Sequence, residues 1–200
     1  MKNVIGALVL GVVLAGAAQA APPEDPVVLL KTRLNAVVAI LADKTLDIAA
    51  KEERISETIA PLFNFELMAK LTLGKQHWSK LAPEQQNHFT QLFVERLKDS
   101  YRDKLSLYSG EELKYKKATR KGTKIQIPTE LIVDDKPIAV VYKMYQSKIG
   151  WKIYDIVIQG VSLVRTYKSQ FDEILNKGTI EDLLMQLEKP LPEETPAPAA

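Results

Sequence analysis

Residues 151–171, WKIYDIVIQGVSLVRTYKSQF, constrain the fold more than any other stretch, because a strand pattern becomes a helix pattern across one glycine. From Trp151 to Ile158 the residues are mostly β-branched or aromatic, which suits a pleated, largely buried strand. From Ser162 onward Leu163, Tyr167, Phe171 and Ile174 recur at helical spacing, with Gly160 as the break between the two periods. Both halves present apolar faces and none of these residues forms a complete catalytic motif, so structure is the first thing this segment specifies.

The remaining chain supplies the surfaces these faces need. Asp25-Pro26 is a cap and first-turn pair, followed by Val27, Leu30, Leu34, Val37 and Leu41, which predicts a helix to about Ala42. A second helix is expected from Leu46 to Ile59, on the surface because Lys51, Glu52, Glu53 and Arg54 crowd its middle. Asn64 caps a short helix from Phe65 to Leu73, closed by Gly74. Pro83 opens the longest helix, whose stripe of Phe89, Leu92, Phe93, Leu97, Tyr101, Leu105 and Tyr108 ends at Gly110. Its length of about 39 Å at 1.5 Å per residue calls for a broad partner surface.

Four strand-like runs follow, 112–119, 123–134, 136–148 and 151–158, joined by connections short enough for an antiparallel meander. In the second run Ile125, Ile127, Leu131 and Val133 share one face, opposite Lys124, Gln126 and Glu130. Lys177-Gly178-Thr179 breaks the terminal helix before a last short one carrying Ile180, Leu183, Leu184 and Leu187. The fold class is α+β, with several helices covering a curved antiparallel sheet of about four strands. One domain is expected over residues 21–189: helical at 25–110, sheet at 112–158 and helical again at 162–188. Residues 190–200, PLPEETPAPAA, have too few hydrophobes to fold.

The first 20 residues read as a secretory leader: Lys2, an apolar run from Val4 to Ala18, and Ala18-Gln19-Ala20 before a cut after Ala20. The chain has no cysteine, so neither disulfides nor a lipid-modified cysteine is expected. Without Lys2 the bases fall from 27 to 26 against 25 acids, a formal balance of +1 that gives no reason to expect nucleic acid as partner. An exported chain with neither anchor nor cross-link is expected in the periplasm, with secretion beyond an outer membrane as the alternative.

Chemistry is sparse. His77 and His88 have no cysteine or acidic pattern of metal-ligand spacing around them, and no metal or cofactor is expected. Gly160-Val161-Ser162 lacks the second glycine of a nucleophile elbow, so Ser162 reads as a helix cap. Asp155 stands alone as an acid in its apolar strand. Either it forms an acid/base pair with Tyr154 at a pocket mouth, or it faces away from Tyr154 and pairs with a lysine or a backbone amide. Lys114, Lys116, Lys117, Arg120, Lys121 and Lys124 cluster at the first hairpin with no acid among them. They read as a charged edge strand or as a surface that meets anionic membranes or acidic partners. The apolar excess is open as well, since it fits a filled core, a ligand cavity, or the groove of a chaperone-like module that holds a lipoprotein or peptide segment.

Together with upstream FNFELMAKLTLGKQHW, the segment around Tyr154, Asp155, Gly160, Val161 and Ser162 resembles the periplasmic phospholipid-carrier family of the MlaC or toluene-tolerance type. The resemblance runs over about residues 27–189, with departures at Asn64 (commonly Asp), Ala82 (commonly a hydroxyl cap) and Gln159 (usually Glu). It implies a carrier that holds glycerophospholipid tails in an apolar cavity between sheet and helices, with the headgroup in solvent. Its implied partners are an outer-membrane lipoprotein-porin complex and an inner-membrane ABC transporter, met through the transporter's membrane-anchored substrate-binding subunit. The implied role is maintenance of outer-membrane lipid asymmetry, with phospholipid as cargo, no cofactor and no catalysis.

On that reading the lipid-binding residues of the helices are Phe65, Met68, Phe93, Leu97 and Tyr101. Those of the sheet are Ile127, Leu131, Val133, Val140, Tyr142, Met144, Tyr154 and Ile156, and those of the terminal segment are Val161, Leu163, Tyr167 and Phe171. A two-chain lipid has roughly 30 methylenes worth about 0.8 kcal/mol each on leaving water, so extraction from a bilayer balances only if the cavity is apolar throughout.

Overall fold

Local capping chemistry sets the helix starts. The Asp25 carboxylate accepts the amides of Val27 and Val28 at 2.8 and 3.2 Å and opens α1, Pro26–Ala42. Asp47 accepts the Ala50 amide at 2.8 Å, so α2 runs Ile48–Ile59 and begins two residues later than its apolar pattern suggests. A 3₁₀ turn, Ala60–Leu62, leads to Asn64, whose side-chain oxygen accepts the Leu67 amide at the start of α3, Phe65–Trp78. Gly74 (φ 76°, ψ 155°) breaks α3 as expected, but a further turn follows it. The long helix α4 is Pro83–Ser106. Ala82 has no hydroxyl to cap α4, and Gln85 three residues on takes up the Ala82 amide instead, at 3.0 Å.

The computed structural model describes residues 24–106, 111–133 and 135–190, with the backbone alone for 101–106. The expected leader, the stop of the long helix at Gly110, and all of the expected tail but Pro190 lie outside the described residues.

The sheet is open and antiparallel, with strands β1 (Glu112–Tyr115), β2 (Thr119–Lys121), β3 (Lys124–Val133), β4 (Lys136–Ser147), β5 (Gly150–Ile158) and β6 (Val161–Ser162). The order is β1-β3-β4-β5-β6, with β2 also on β3. The first expected strand is therefore two short ones on the same partner, Tyr115 opposite Thr129 and Thr119 opposite Gln126. Three residues lie between these pairs on the edge and two on β3, one of them Pro128. Its carbonyl accepts the Lys116 amide at 2.9 Å, so its ring nitrogen also faces the edge strand, where it has no proton to donate. The ladder lapses there.

A second irregularity falls in β5. Lys143 pairs with Asp155 and Met144 with Ile153, which leaves Tyr154 as the extra residue of a bulge. At the end of β5 the joint with β6 is a two-residue turn, Gln159-Gly160, with φ of 48° and 82°. Positive φ at both positions is what a tight hairpin of right-handed twist requires. Ser162 then caps α5, Leu163–Leu175, and a Thr179/Asp182 capping box opens α6, Ile180–Glu188.

Two hydrophobic cores result. One joins α1 and the 3₁₀ turn to the lower sheet through Leu30, Leu34, Leu62, Ile127, Met144 and Ile153. The other is helical, with Phe89 and Phe93 of α4 meeting Tyr167 and Phe171 of α5 edge-on, closed by Leu183 and Leu187 of α6. Phe63 and Ile156 pack against both.

Candidate functional site

A cavity of about 520 Å³ opens at the seam between the two cores, within the size range of small-molecule sites. Val140 and Tyr142 of β4 and Ile156 and Ile158 of β5 form its floor, in direct register as two cross-strand pairs. Phe63, Phe65, Met68 and Leu163 line its sides together with Val94 and Leu97 of α4. Ile55, Ser56, Ile59 and Ala60 bring α2 and the 3₁₀ turn over it, and Glu52 and Lys98 are its charged residues. The lining is otherwise overwhelmingly apolar, which suits hydrocarbon and offers little to a polar substrate.

Seven of the sequence-derived site residues meet there: Phe65, Met68, Leu97, Val140, Tyr142, Ile156 and Leu163. Nine others are placed elsewhere. Phe93, Tyr167 and Phe171 fill the helical core, and Ile127 and Met144 are buried against α1 and the 3₁₀ turn. Leu131 and Val133 lie two and four residues beyond Thr129, the partner of Val140, opposite Ile138 and Lys136, and are not among the lining residues. Val161 is exposed in the β5–β6 hairpin. Tyr154 packs against Tyr145 on the other sheet face, and the side chain of Tyr101 lies outside the described residues.

Periodicity located apolar faces but could not say which face is filled and which stays open. It also passed over α2, whose charged middle suggested a surface helix. No residue of α2 is fully buried, yet its Ile55 and Ile59, four apart, face the cavity. The i, i+4 isoleucines were the available signal.

Asp155 is 5% exposed and fully engaged. Its carboxylate lies 2.8 and 2.9 Å from the Ser162 hydroxyl, 2.9 Å from the Lys143 ammonium and 3.2 Å from the Val164 amide. It thus pairs with a lysine and a backbone amide. Strand alternation, however, does not separate it from Tyr154. The bulge lets Tyr154 contact Tyr145 and Lys124 while Asp155 contacts Lys143, all from the face opposite Tyr142. Ser162 donates to Asp155 and accepts the Arg165 amide at 3.2 Å, which is a cap's role.

Burial pushes the Tyr142 phenol far above its ordinary value, with the Tyr115 phenol adding to the effect, so it stays neutral in the cavity. Among the described residues the polar partner of His88 is Glu188, at 3.3 Å on the surface. Among the described residues no cluster of three or more metal-ligating side chains occurs, and no helix is long and apolar enough to cross a membrane.

Comparison with known proteins places these features in a family context. The family model described as MlaC protein matches residues 31–189. The chain is 28% identical over 166 residues to the intermembrane phospholipid transport system binding protein MlaC of Haemophilus influenzae, covering 74% of this chain and 77% of that protein. It also superposes with TM-score 0.76 on a phospholipid-binding protein from Ralstonia solanacearum solved in complex with a phospholipid. That match has 28% identity and covers 82% of this chain and 96% of the other.

Proposed function

The chain belongs to the MlaC protein family, and from that premise we propose that it is an intermembrane phospholipid transport binding protein whose cargo's acyl chains occupy the cavity between α2, α4 and the β4–β5 floor. The observation that carries this reading is the apolar opening itself, lined at the seam of two cores by Phe63, Met68, Val140, Tyr142 and Ile156. The binding of phospholipid by a relative of the same fold supports it. Acyl chains exchange one dry environment for another, which keeps binding near balance with a bilayer and lets a partner tip it.

The role extends to the periplasm as compartment, with the charged rim of Glu52 and Lys98 at the headgroup end. An inner-membrane ABC transporter and an outer-membrane complex are the proposed donor and acceptor. Such transfer asks for no catalytic group, and Asp155 and Ser162 serve to join β5 to α5.

A phospholipid bearing a photoactivatable group on its acyl chain tests the assignment. It should label peptides containing Ile55, Ile59, Val140 or Tyr142; labelling confined to the outer sheet face or to α6 would overturn it.

A further inference from the structure

We propose that the end of the sheet bearing the β2–β3 and β4–β5 hairpin tips docks onto the surface of an anionic phospholipid bilayer. Between Leu113 and Thr129, and again between Lys136 and Tyr154, the sequence contains ten lysines and arginines and no acid. The fold divides these bases into two groups. Lys114, Lys116 and Lys143 are neutralised by Glu112, Glu130 and Asp155 at 3.2, 2.7 and 2.9 Å. Lys121, Lys124 and Lys152, by contrast, meet no acid among the described residues and fall in one row across the sheet, in register Lys121–Lys124–Tyr145–Lys152, with the Lys152 ammonium donating to the Pro61 carbonyl.

Lys121 and Lys124 stand directly opposite each other, an arrangement that costs stability. Protection of an edge strand explains Lys121 but not Lys124, which lies on the interior strand β3. Neither makes an ion pair among the described residues.

The apolar component points to a bilayer and away from an acidic protein. Ile149, at the β4–β5 tip, is 82% exposed, more than any other large hydrophobic among the described residues, and it follows Lys148. Behind it Lys124 lies over half-buried Tyr154 at 5.5 Å, while Arg120 covers Trp151, a ring buried in the core, at 5.1 Å. Cations beside one protruding aliphatic side chain suit the headgroup region, where charge meets lipid phosphate and the aliphatic tip reaches the acyl boundary. Glu24 is the acid near this end, across a small groove from Lys152.

Val140 and Ile158 of the cavity lie at the opposite end of β4 and β5, about 24 Å from the tips at roughly 3.4 Å per residue. The near side of the cavity is closer, since Ala60 and Phe63 lie within two residues of Pro61, whose carbonyl accepts the Lys152 ammonium; docking at the tips therefore leaves the Val140–Ile158 end free.

Co-sedimentation with vesicles of phosphatidylethanolamine, with and without phosphatidylglycerol, tests the proposal. The wild-type protein should bind only the phosphatidylglycerol vesicles, and less well at high salt. Lys121→Glu/Lys124→Glu should lower binding at least about tenfold, Lys121→Gln/Lys124→Gln should lower it by a smaller factor, and Ile149→Asp should weaken the salt-resistant part. Equal binding to both vesicle types, no binding to either, or unchanged binding by folded charge variants would overturn it. Lipid content measured on the same samples separates this surface from the cargo: a charge variant that keeps its lipid and loses the vesicle has lost docking alone.

Discussion

The rings of Phe63 and Phe65 stack with centroids 5.1 Å apart and planes 2° from parallel, and both line the cavity. Phe63 is also held to the sheet by a parallel bridge to Ile153, and the next amide, of Asn64, donates to the Ile153 carbonyl at 2.9 Å. The stack thus ties the start of α3 to the edge of β5. Phe65→Ala should cost about 2 kcal/mol, less than the ~3–5 of a fully buried phenylalanine because one side faces the opening. Urea unfolding measures it as a lowered midpoint.

The floor of the cavity can be separated from the rest of the sheet face. Val140→Trp should fill the opening and strip most of the bound phospholipid while the fold persists. Ile149→Trp, at the exposed β4–β5 tip, should leave lipid content unchanged. Lipid phosphorus per mole of protein distinguishes the two.

Asp155 and Ser162 form the joint between sheet and helix. Ser162→Ala removes the donor to a buried carboxylate and the cap of α5 together, and should cost about 1–3 kcal/mol. Because the pair has a structural role, a folded Asp155→Asn protein should still transfer lipid between vesicles.

Arg96 is buried on α4, and one of its terminal nitrogens donates to the carbonyls of Gln186, Leu187 and Lys189 at 2.7–2.9 Å, closing the C-terminal end of α6. Arg96→Met keeps the packing stem and loses these bonds, at about 2 kcal/mol. Amide exchange should accelerate in 180–188 well before it does in the sheet.

Burial raises the phenol pKa of both Tyr142 and Tyr167; the Ser100 hydroxyl, 3.0 Å from Tyr167, only partly offsets the latter. A tyrosine in the unfolded chain ionises near 10, so above that pH the unfolded state binds fewer protons and stability falls. Below pH 10 the contribution is complete. Denaturation midpoints should be flat through neutral pH and decline beyond about 10, with a shallower decline in Tyr142→Phe.

The sequence made the sheet legible because its turns carry their own chemistry at Gly122 and Gly150, and because Ile125, Ile127 and Met144 keep strict alternation. The helix caps at Asp25, Asn64, Ser162 and Thr179 were equally visible. What escaped depends on pairing between distant residues. Pro128 interrupts the edge strand only because Lys116 lies across from it, and Tyr154 is bulged only because β4 passes Asp155 one residue early. The cavity escaped for a related reason. Phe93 and Leu97 follow the same helical stripe, yet one faces the α5 aromatics and the other the opening, a distinction set by where two cores fail to merge.

Native mass spectrometry of the protein purified without detergent tests the carrier assignment most directly. The account predicts a mass excess equal to a glycerophospholipid on the wild-type chain, largely absent from Val140→Trp. A wild-type protein that carries no lipid and takes none from phosphatidylethanolamine and phosphatidylglycerol vesicles would contradict it.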